Sequence, residues 1–215
     1  TLLSDATHTS YVDKILTNDA ITYGTGAFTV ERYIGTGTAP GQHPKSWQFL
    51  AVPLNTTQPV KAAWQEGALA LGDNPNPGYG TIITSNLPGA TTAPMGFDVH
   101  TSPGPSMKVY NNSTGGWDGI ANTTSLPITN AQGYMVFVRG DRSVTAFNQP
   151  ATTTKLRARG RLFIPSATPG NNPPSSIVPA SGFESVGNPY ASAIDFTQVT
   201  KTGDVDYKYY VWDPL

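Results

Sequence analysis

Turn-forming residues break this chain into pieces that are too short for long helices. Glycine occurs 22 times and proline 19 times in 215 residues. With asparagine and aspartate they form clusters at 35–37, 74–78, 114–116, 140–141 and 169–174. Such residues favour tight turns, whereas the runs between them are rich in Val, Ile, Thr, Tyr and Phe, which favour strands. The chain is therefore predicted to be all-β, an antiparallel β-sandwich or jelly roll with long loops and at most one or two short helices.

Alternation of apolar and polar residues locates the predicted strands. The clearest spans 27–34, where Phe28, Val30 and Ile34 lie on one side. The other predicted strands are 11–16, 47–54, 79–84, 96–100, 107–110, 134–139, 143–147, 154–164, 183–187 and 207–212. A helical pattern is confined to 60–71, where Gly67 weakens it, and to a short turn at 194–199 that Asp195 is expected to cap.

The predicted domain organisation is a β-sandwich at 1–168, a linker at 169–174 and a final unit at 175–215. This last part is either the start of a second, similar β unit that is truncated or the last strands of the same sandwich. A repeat is suggested because an aromatic residue, an aliphatic residue and a proline at Trp47, Leu50 and Pro53 recur at Phe183, Val186 and Pro189. Chance similarity between two short strands explains the same pattern, so both interpretations stay open.

Composition and charge argue against several partner classes. Thirteen basic and fourteen acidic residues leave a formal net charge of -1, so the positive field that nucleic-acid binding requires is missing. Arg157, Arg159 and Arg161 share one side of a predicted strand, and a solvated strand face is favoured there over a phosphate or acidic-glycan contact. No run reaches the roughly 18 apolar residues of a spanning helix, so membrane insertion is not predicted. Without cysteine there are no disulfides or thiolate ligands.

The sequence contains no recognisable catalytic motif, and the chain is predicted not to be an enzyme. Its three histidines, His8, His43 and His100, lack metal-binding spacing, and neither a nucleophile elbow nor a phosphate-binding loop is present. A glycosidase needs only two carboxylates on neighbouring strands, which spacing rules cannot detect. The candidates for that chemistry, each also interpretable as a cap or turn residue, are Glu66, Asp98, Asp118, Glu184 and Asp195.

Two further motifs have both a functional and a structural interpretation. Oxygen-rich stretches at Asp204 and Asp206, and at Asp73, Asn74 and Asn76, could ligate calcium, but turn stabilisation is favoured and no cofactor is predicted. The tripeptide Arg139-Gly140-Asp141 could be presented to a receptor, but it lies between two predicted strands. A tight hairpin turn is therefore the favoured interpretation of this tripeptide.

Aromatic residues provide the best candidate for a binding site. The chain has four tryptophans and ten tyrosines, and exposed rings can stack on sugars. Trp47 and Trp212 lie in apolar strands and are expected in the core. Trp117 lies in a predicted glycine-rich loop at 114–119, so it is predicted to contact glycan together with Tyr110 and Asn112.

A set of short motifs in fixed order resembles a known kind of module. The motifs are WQFLAVP at 47–53, WQE at 64–66, PGYGT at 77–81, GFD at 96–98, PSM at 105–107, GYMVFVRGDRS at 133–143, VGNPY at 186–190 and AID at 193–195. Together they are similar to a β-rich module of very large secreted, cell-surface proteins of Bacteroidota, of the kind exported by the type IX system. In that family the segment YVWDP, here at 210–214, continues into further strands and a sorting domain, so the chain is expected to be part of a longer protein.

The resemblance implies an extracellular, cell-surface location and a role without assigned catalytic residues. The leading hypothesis is a non-catalytic structural or adhesive module, a building block of a filament or surface layer whose partners are neighbouring copies or other modules of the same protein. The alternative is a carbohydrate-binding module, and a glycoside hydrolase-like accessory domain comes third.

Overall fold

The structure, a computed structural model, describes residues 1–13, 15, 21–69, 72–101, 104–164, 173–206 and 208–211. These contain six strands: β1 (Phe28–Ile34), β2 (Ser46–Leu50), β3 (Met107–Asn111), β4 (Gly116–Gly119), β5 (Tyr134–Val138) and β6 (Thr154–Gly160). One helix, α1 (Val60–Ala63), and one 3-10 turn at Phe196–Gln198 complete the regular structure of the described residues. The prediction of an all-β chain with at most two short helices is confirmed.

The strands form two antiparallel sheets. β1 pairs with β6, while β2, β5, β3 and β4 lie side by side in that order in the second sheet. Residues from both sheets share one core: Ile34 and Leu156 come from the two-stranded sheet, and Met107, Val136 and Val138 come from the four-stranded sheet. The fold is therefore sandwich-like, with the apolar faces of two sheets turned towards each other.

The helix is much shorter than the predicted segment 60–71. Its four residues begin after Pro59, and the chain then adopts left-handed conformations at Glu66, with φ of 56°, and Gly67, with φ of 73°. A left-handed backbone cannot continue an α-helix, so the prediction of a longer helix was wrong. Near the other end of the chain, Asp195 caps the 3-10 turn by accepting a hydrogen bond from the Thr197 N–H at 2.9 Å, as predicted.

Two predicted strands, 79–84 and 96–100, are largely buried segments that form no strand, and only Tyr79 makes an isolated parallel bridge, to Lys155 of β6. The Ile83 N–H donates to the Asp98 carboxylate at 2.9 Å, and the Thr84 N–H donates to Ser106 Oγ at 2.9 Å. Backbone groups that bond to side chains in this way are not available for a regular ladder. The strand predictions were wrong here, although the apolar residues Ile82 and Ile83 are fully buried.

The remaining strand predictions have mixed outcomes. Segment 143–147 forms turns and segment 183–187 is irregular, so both predictions were wrong. The strand β4 was not predicted at all. Parts of the predicted strands 11–16 and 207–212, with Trp212, lie outside the described residues, and their described parts contain no strand.

The C-terminal segment, residues 173–206 and 208–211, is irregular apart from the 3-10 turn, and residues 185–187 attach it to the sandwich. The Gly187 N–H donates to the Ala131 carbonyl at 2.7 Å, and Ser185 Oγ donates to the Gln132 carbonyl at 2.6 Å. A Cβ atom on Gly187 would lie 2.7 Å from the Cβ of Ala51, so the close approach requires glycine here. Most of the predicted linker lies outside the described residues, and the division at 169–174 stays a prediction.

Candidate ligand-binding face

The outer side of the four-stranded sheet carries an unusual set of aromatic side chains. In β5, Tyr134, Val136 and Val138 are buried, whereas the alternate residues Met135 and Phe137 are half-buried and point away from the core. Directly paired residues of antiparallel strands share a side of the sheet. The register pairs Trp47 with Phe137, Phe49 and Lys108 with Met135, and Tyr110 with Trp117. This aromatic face consists of Trp47, Phe49, Tyr110, Trp117, Met135 and Phe137, with Lys108 among them.

Three of these rings form a contiguous cluster. The ring centroid of Trp117 lies 5.0 Å from that of Phe49 and 5.3 Å from that of Tyr110. Trp117 and Tyr110 are half-buried, and Phe49 remains 44% exposed. The solvent side of an antiparallel sheet is normally polar, and an exposed apolar patch marks an interaction surface.

A second aromatic pair lies at the other end of the face. Trp47 and Phe137 pack edge to face with centroids 5.4 Å apart. The ammonium of Lys108 lies 4.8 Å from the centroid of Trp47, and the guanidinium of Arg139 lies 4.9 Å from the centroid of Phe137. Cations over aromatic rings keep those rings in place and give this end of the face a positive charge.

Trp47 and Phe137 also line a cleft of about 680 Å³, which we call the basic cleft. Its other side is formed by residues of the loops at 37–45 and 147–151, including Lys45 and Phe147, the latter 77% exposed. Three cationic residues and no aspartate or glutamate occur among the described residues that line it. Burial, together with the charge of Arg139, lowers the pKa of Lys45.

The predicted glycan-binding residues are partly brought together. Trp117 lies in strand β4, so its placement in a loop was wrong, but it contacts Tyr110 as described. Asn112 lies beside them in the turn after β3, where its Nδ2 donates to Glu184 at 2.7 Å. Their role in binding stays a prediction.

Three aromatic residues of this face were not among the predicted binding residues. Trp47 was expected in the core, which was wrong, and Phe49 and Phe137 were not considered for binding. The available signal was alternation: Trp47 and Phe49 flank the buried Gln48, as Met135 and Phe137 flank the buried Val136. A large apolar residue at every second position of two strands predicts an apolar sheet face, although not whether it points inwards.

The carboxylates considered for glycosidase chemistry bind separate protein partners. Asp98 forms a bidentate pair with Arg142, with both N–O distances at 2.9 Å. Glu66 accepts from Arg157 at 2.6 Å, and Glu184 joins Asn112 to Gln132. The two others are the cap Asp195 and the exposed Asp118, which accepts from Asn111 at 2.8 Å.

The Arg139-Gly140-Asp141 segment is buried. Arg139 is 6% and Asp141 7% exposed, so the tripeptide is not presented to a receptor. The prediction of a tight hairpin turn was wrong, because β5 ends at Val138 and no strand follows directly. Asp141 accepts from the N–H groups of Gly78 and Ser143 at 2.8 and 3.0 Å. Burial raises the pKa of Asp141, but hydrogen bonds from Ser143 and Gly78 outweigh it and hold the pKa below its ordinary value.

The basic strand and the calcium candidates are involved in protein contacts. Arg159 and Arg161 are exposed on β6 and just after it, as a solvated face predicts, while Arg157 binds Glu66. Asn76 donates to Glu66 at 2.9 Å, and Asp206 lies 3.2 Å from Lys208. Within the described ranges, no three His, Cys, Asp or Glu side chains converge as metal ligands, and no helix has the length and apolarity to cross a bilayer.

Comparison with known proteins found no relative of this chain. No family model matches the chain. Searches of curated proteins and of solved structures gave no match either. Function therefore has to be inferred from the site.

Proposed function

We propose that this chain is a non-catalytic, extracellular adhesive module that binds glycan on its aromatic face. The observation that supports the proposal is the contiguous cluster of Phe49, Tyr110 and Trp117, extended along the sheet by Trp47 and Phe137. Five aromatic side chains on the outer side of one sheet contribute nothing to the sandwich core. A binding role accounts for their partial exposure.

Aromatic rings suit sugars because one ligand presents both apolar C–H faces and hydroxyl groups. The rings offer large rigid surfaces with little conformational entropy to lose on binding. A polar group next to the cluster is already ordered: Asn112, in the turn after β3, donates to Glu184 at 2.7 Å. An apolar surface flanked by a few fixed amides and carboxylates is typical of small-ligand sites.

The scaffold also favours binding without rearrangement. Trp117 and Tyr110 lie opposite each other in the β3–β4 hairpin, and Phe49 lies in a strand that pairs with β5. Side chains on hydrogen-bonded strands are positioned more accurately than those on loops. The face should therefore bind with a small entropic cost.

Affinity electrophoresis on a panel of polysaccharides tests the proposal, with Trp117→Ala as the central variant. Truncating a dominant interface tryptophan costs about 2 kcal/mol or more, so the Kd for a bound polysaccharide should rise about thirtyfold. The matched control is Tyr79→Ala, since Tyr79 is half-buried elsewhere, with its ring 4.2 Å from Arg157. Binding that survives in Trp117→Ala, or that is lost equally in the control, would disprove the role of the aromatic face.

The filament or surface-layer role, with neighbouring copies as partners, stays a prediction. So do the cell-surface location, the resemblance to Bacteroidota modules and the third hypothesis of a hydrolase-like accessory domain. An adhesive module within a larger surface protein is compatible with the filament role, the cell-surface location and the resemblance, but not with a hydrolase-like domain. Electron micrographs of the native protein would show whether copies assemble.

A further inference from the structure

We infer that the basic cleft binds an acidic group, a carboxylate or a sulfate, of a charged glycan that lies along the aromatic face. This inference rests on the proposed glycan-binding function and names the class of ligand. Trp47 and Phe137 belong to both the aromatic face and the cleft, so the two surfaces are continuous. A sugar ring that contacts these two side chains would place its substituents beside Lys45, Lys108 and Arg139.

Arg139 is the residue that calls for an anionic ligand. It is 6% exposed and lines the cleft, and its Nη1 has no hydrogen-bond partner among the described residues. Its charge is not neutralised by the nearby Asp98, because Asp98 already forms a bidentate pair with the fully buried Arg142. A buried guanidinium with an open donor is matched by an oxyanion, which accepts charge-assisted hydrogen bonds.

Two lysines extend the positive charge around the same cleft. Lys45 Nζ donates to the carbonyls of Phe147 and Ala146 at 2.9 and 3.3 Å, which uses two of its three N–H groups and fixes the loop that carries Phe147. Lys108 holds its ammonium over Trp47 at 4.8 Å. An anion bound among these three positive charges would be attracted by each of them, and it would also offset their mutual repulsion.

Matched polysaccharide pairs test for the acidic group. Polygalacturonate is compared with its methyl ester, which removes the charge from the same backbone, and dextran sulfate is compared with dextran. At low ionic strength we expect the wild-type chain to bind one charged member about tenfold more tightly than its neutral partner. The preference should shrink as salt rises, since exposed charge is screened. A preference for polygalacturonate indicates a carboxylate site, and a preference for dextran sulfate indicates a sulfate site.

Arg139→Met is the variant that assigns the preference to the cleft. It should lose the preference for the charged member, measured as the ratio of the two Kd values, so that any change in its affinity for the neutral member is taken into account. Removing a buried charge without a partner should leave the fold intact, which the near-ultraviolet circular dichroism spectrum verifies. Lys108→Gln, at a half-buried position on the sheet face, gives a second test and should reduce the preference severalfold.

The outcomes separate this inference from the proposed function. Equal binding of charged and neutral members by the wild type, or a preference that persists in both variants, overturns the acidic-group site. Neutral binding that Trp117→Ala abolishes would still support the aromatic face. Conversely, binding of charged members alone that depends on Arg139 but not on Trp117 supports the cleft and refutes the aromatic face.

Discussion

Replacing Asp98 with asparagine is expected to destabilise the fold by about 3–5 kcal/mol, because it leaves the charge of Arg142 buried without a counterion. The side chain of Arg142 is 0% exposed and that of Asp98 is 3% exposed. Besides the two bonds to Asp98, Arg142 donates to the carbonyls of Asp73 and Thr81 at 3.0 and 3.1 Å. The guanidinium is thus fixed in place and cannot turn towards water when its partner loses its charge.

The carboxylate of Asp98 also joins three parts of the chain. It accepts from Gln65 Nε2 at 2.8 Å and from the Ile83 N–H at 2.9 Å, in addition to Arg142. Asparagine retains one oxygen and most of the shape, so the main loss is the negative charge rather than a cavity. For a domain of this size the expected cost corresponds to a decrease in Tm of about 6–20 °C.

Equilibrium urea unfolding followed by tryptophan fluorescence measures the effect. The comparison variant is Glu66→Gln, whose partner Arg157 has a side chain that is 31% exposed, so solvent screening should limit its cost to about 1 kcal/mol. In a double-mutant cycle with Arg142→Met, the Asp98→Asn cost should fall by about 1–3 kcal/mol, because the charge that needed a partner is gone. A cost below about 1 kcal/mol for Asp98→Asn, or strict additivity in the cycle, would show that the buried charge of Arg142 does not depend on Asp98.

Two other predictions concern the C-terminal segment and acid stability. Gly187→Ala places a methyl group 2.7 Å from the Cβ of Ala51, so the segment should detach locally and exchange its amide protons about fivefold faster, which corresponds to about 1 kcal/mol. Hydrogen exchange monitored by mass spectrometry checks this, and an unchanged rate would contradict it. Asp141 has a folded-state pKa below its ordinary value, so its stabilising contribution is complete above about pH 4 and is lost as the pH falls through the folded pKa. The unfolding free energies of wild type and Asp141→Asn should therefore converge as the pH falls below about 4, and a constant difference would contradict the assignment.

Much of the fold could be predicted from the chain because strand signals are local. Five of the six strands overlap segments whose alternation and turn residues indicated them, and β1 begins within one residue of its predicted start. At 79–84 the prediction failed because backbone groups bond to side chains that lie outside the segment. The Ile83 N–H finds Asp98, for example, and no local pattern predicts such a partner.

The candidate site was less predictable than the fold. Trp117 and Tyr110 were singled out, but their neighbour Phe49 comes from a strand that is distant in sequence and reaches them through the sheet order. Alternation indicates that Trp47 and Phe49 share one side of β2, yet it assigns that side to neither core nor solvent. The interpretation of Trp47 as a core residue was wrong for that reason.

The all-β class of the structure follows from local sequence, since turn residues and β-branched runs act within a few positions of each other. Which aromatic side chains meet depends on the packing of the sheets, as does the pairing of Asp98 with Arg142, while Arg139 lines the cleft with an Nη1 that has no hydrogen-bond partner among the described residues. Pairing of strands and of buried charges depends on the burial free energy of the whole core. That quantity is distributed over the entire chain, so no short stretch of sequence reveals it.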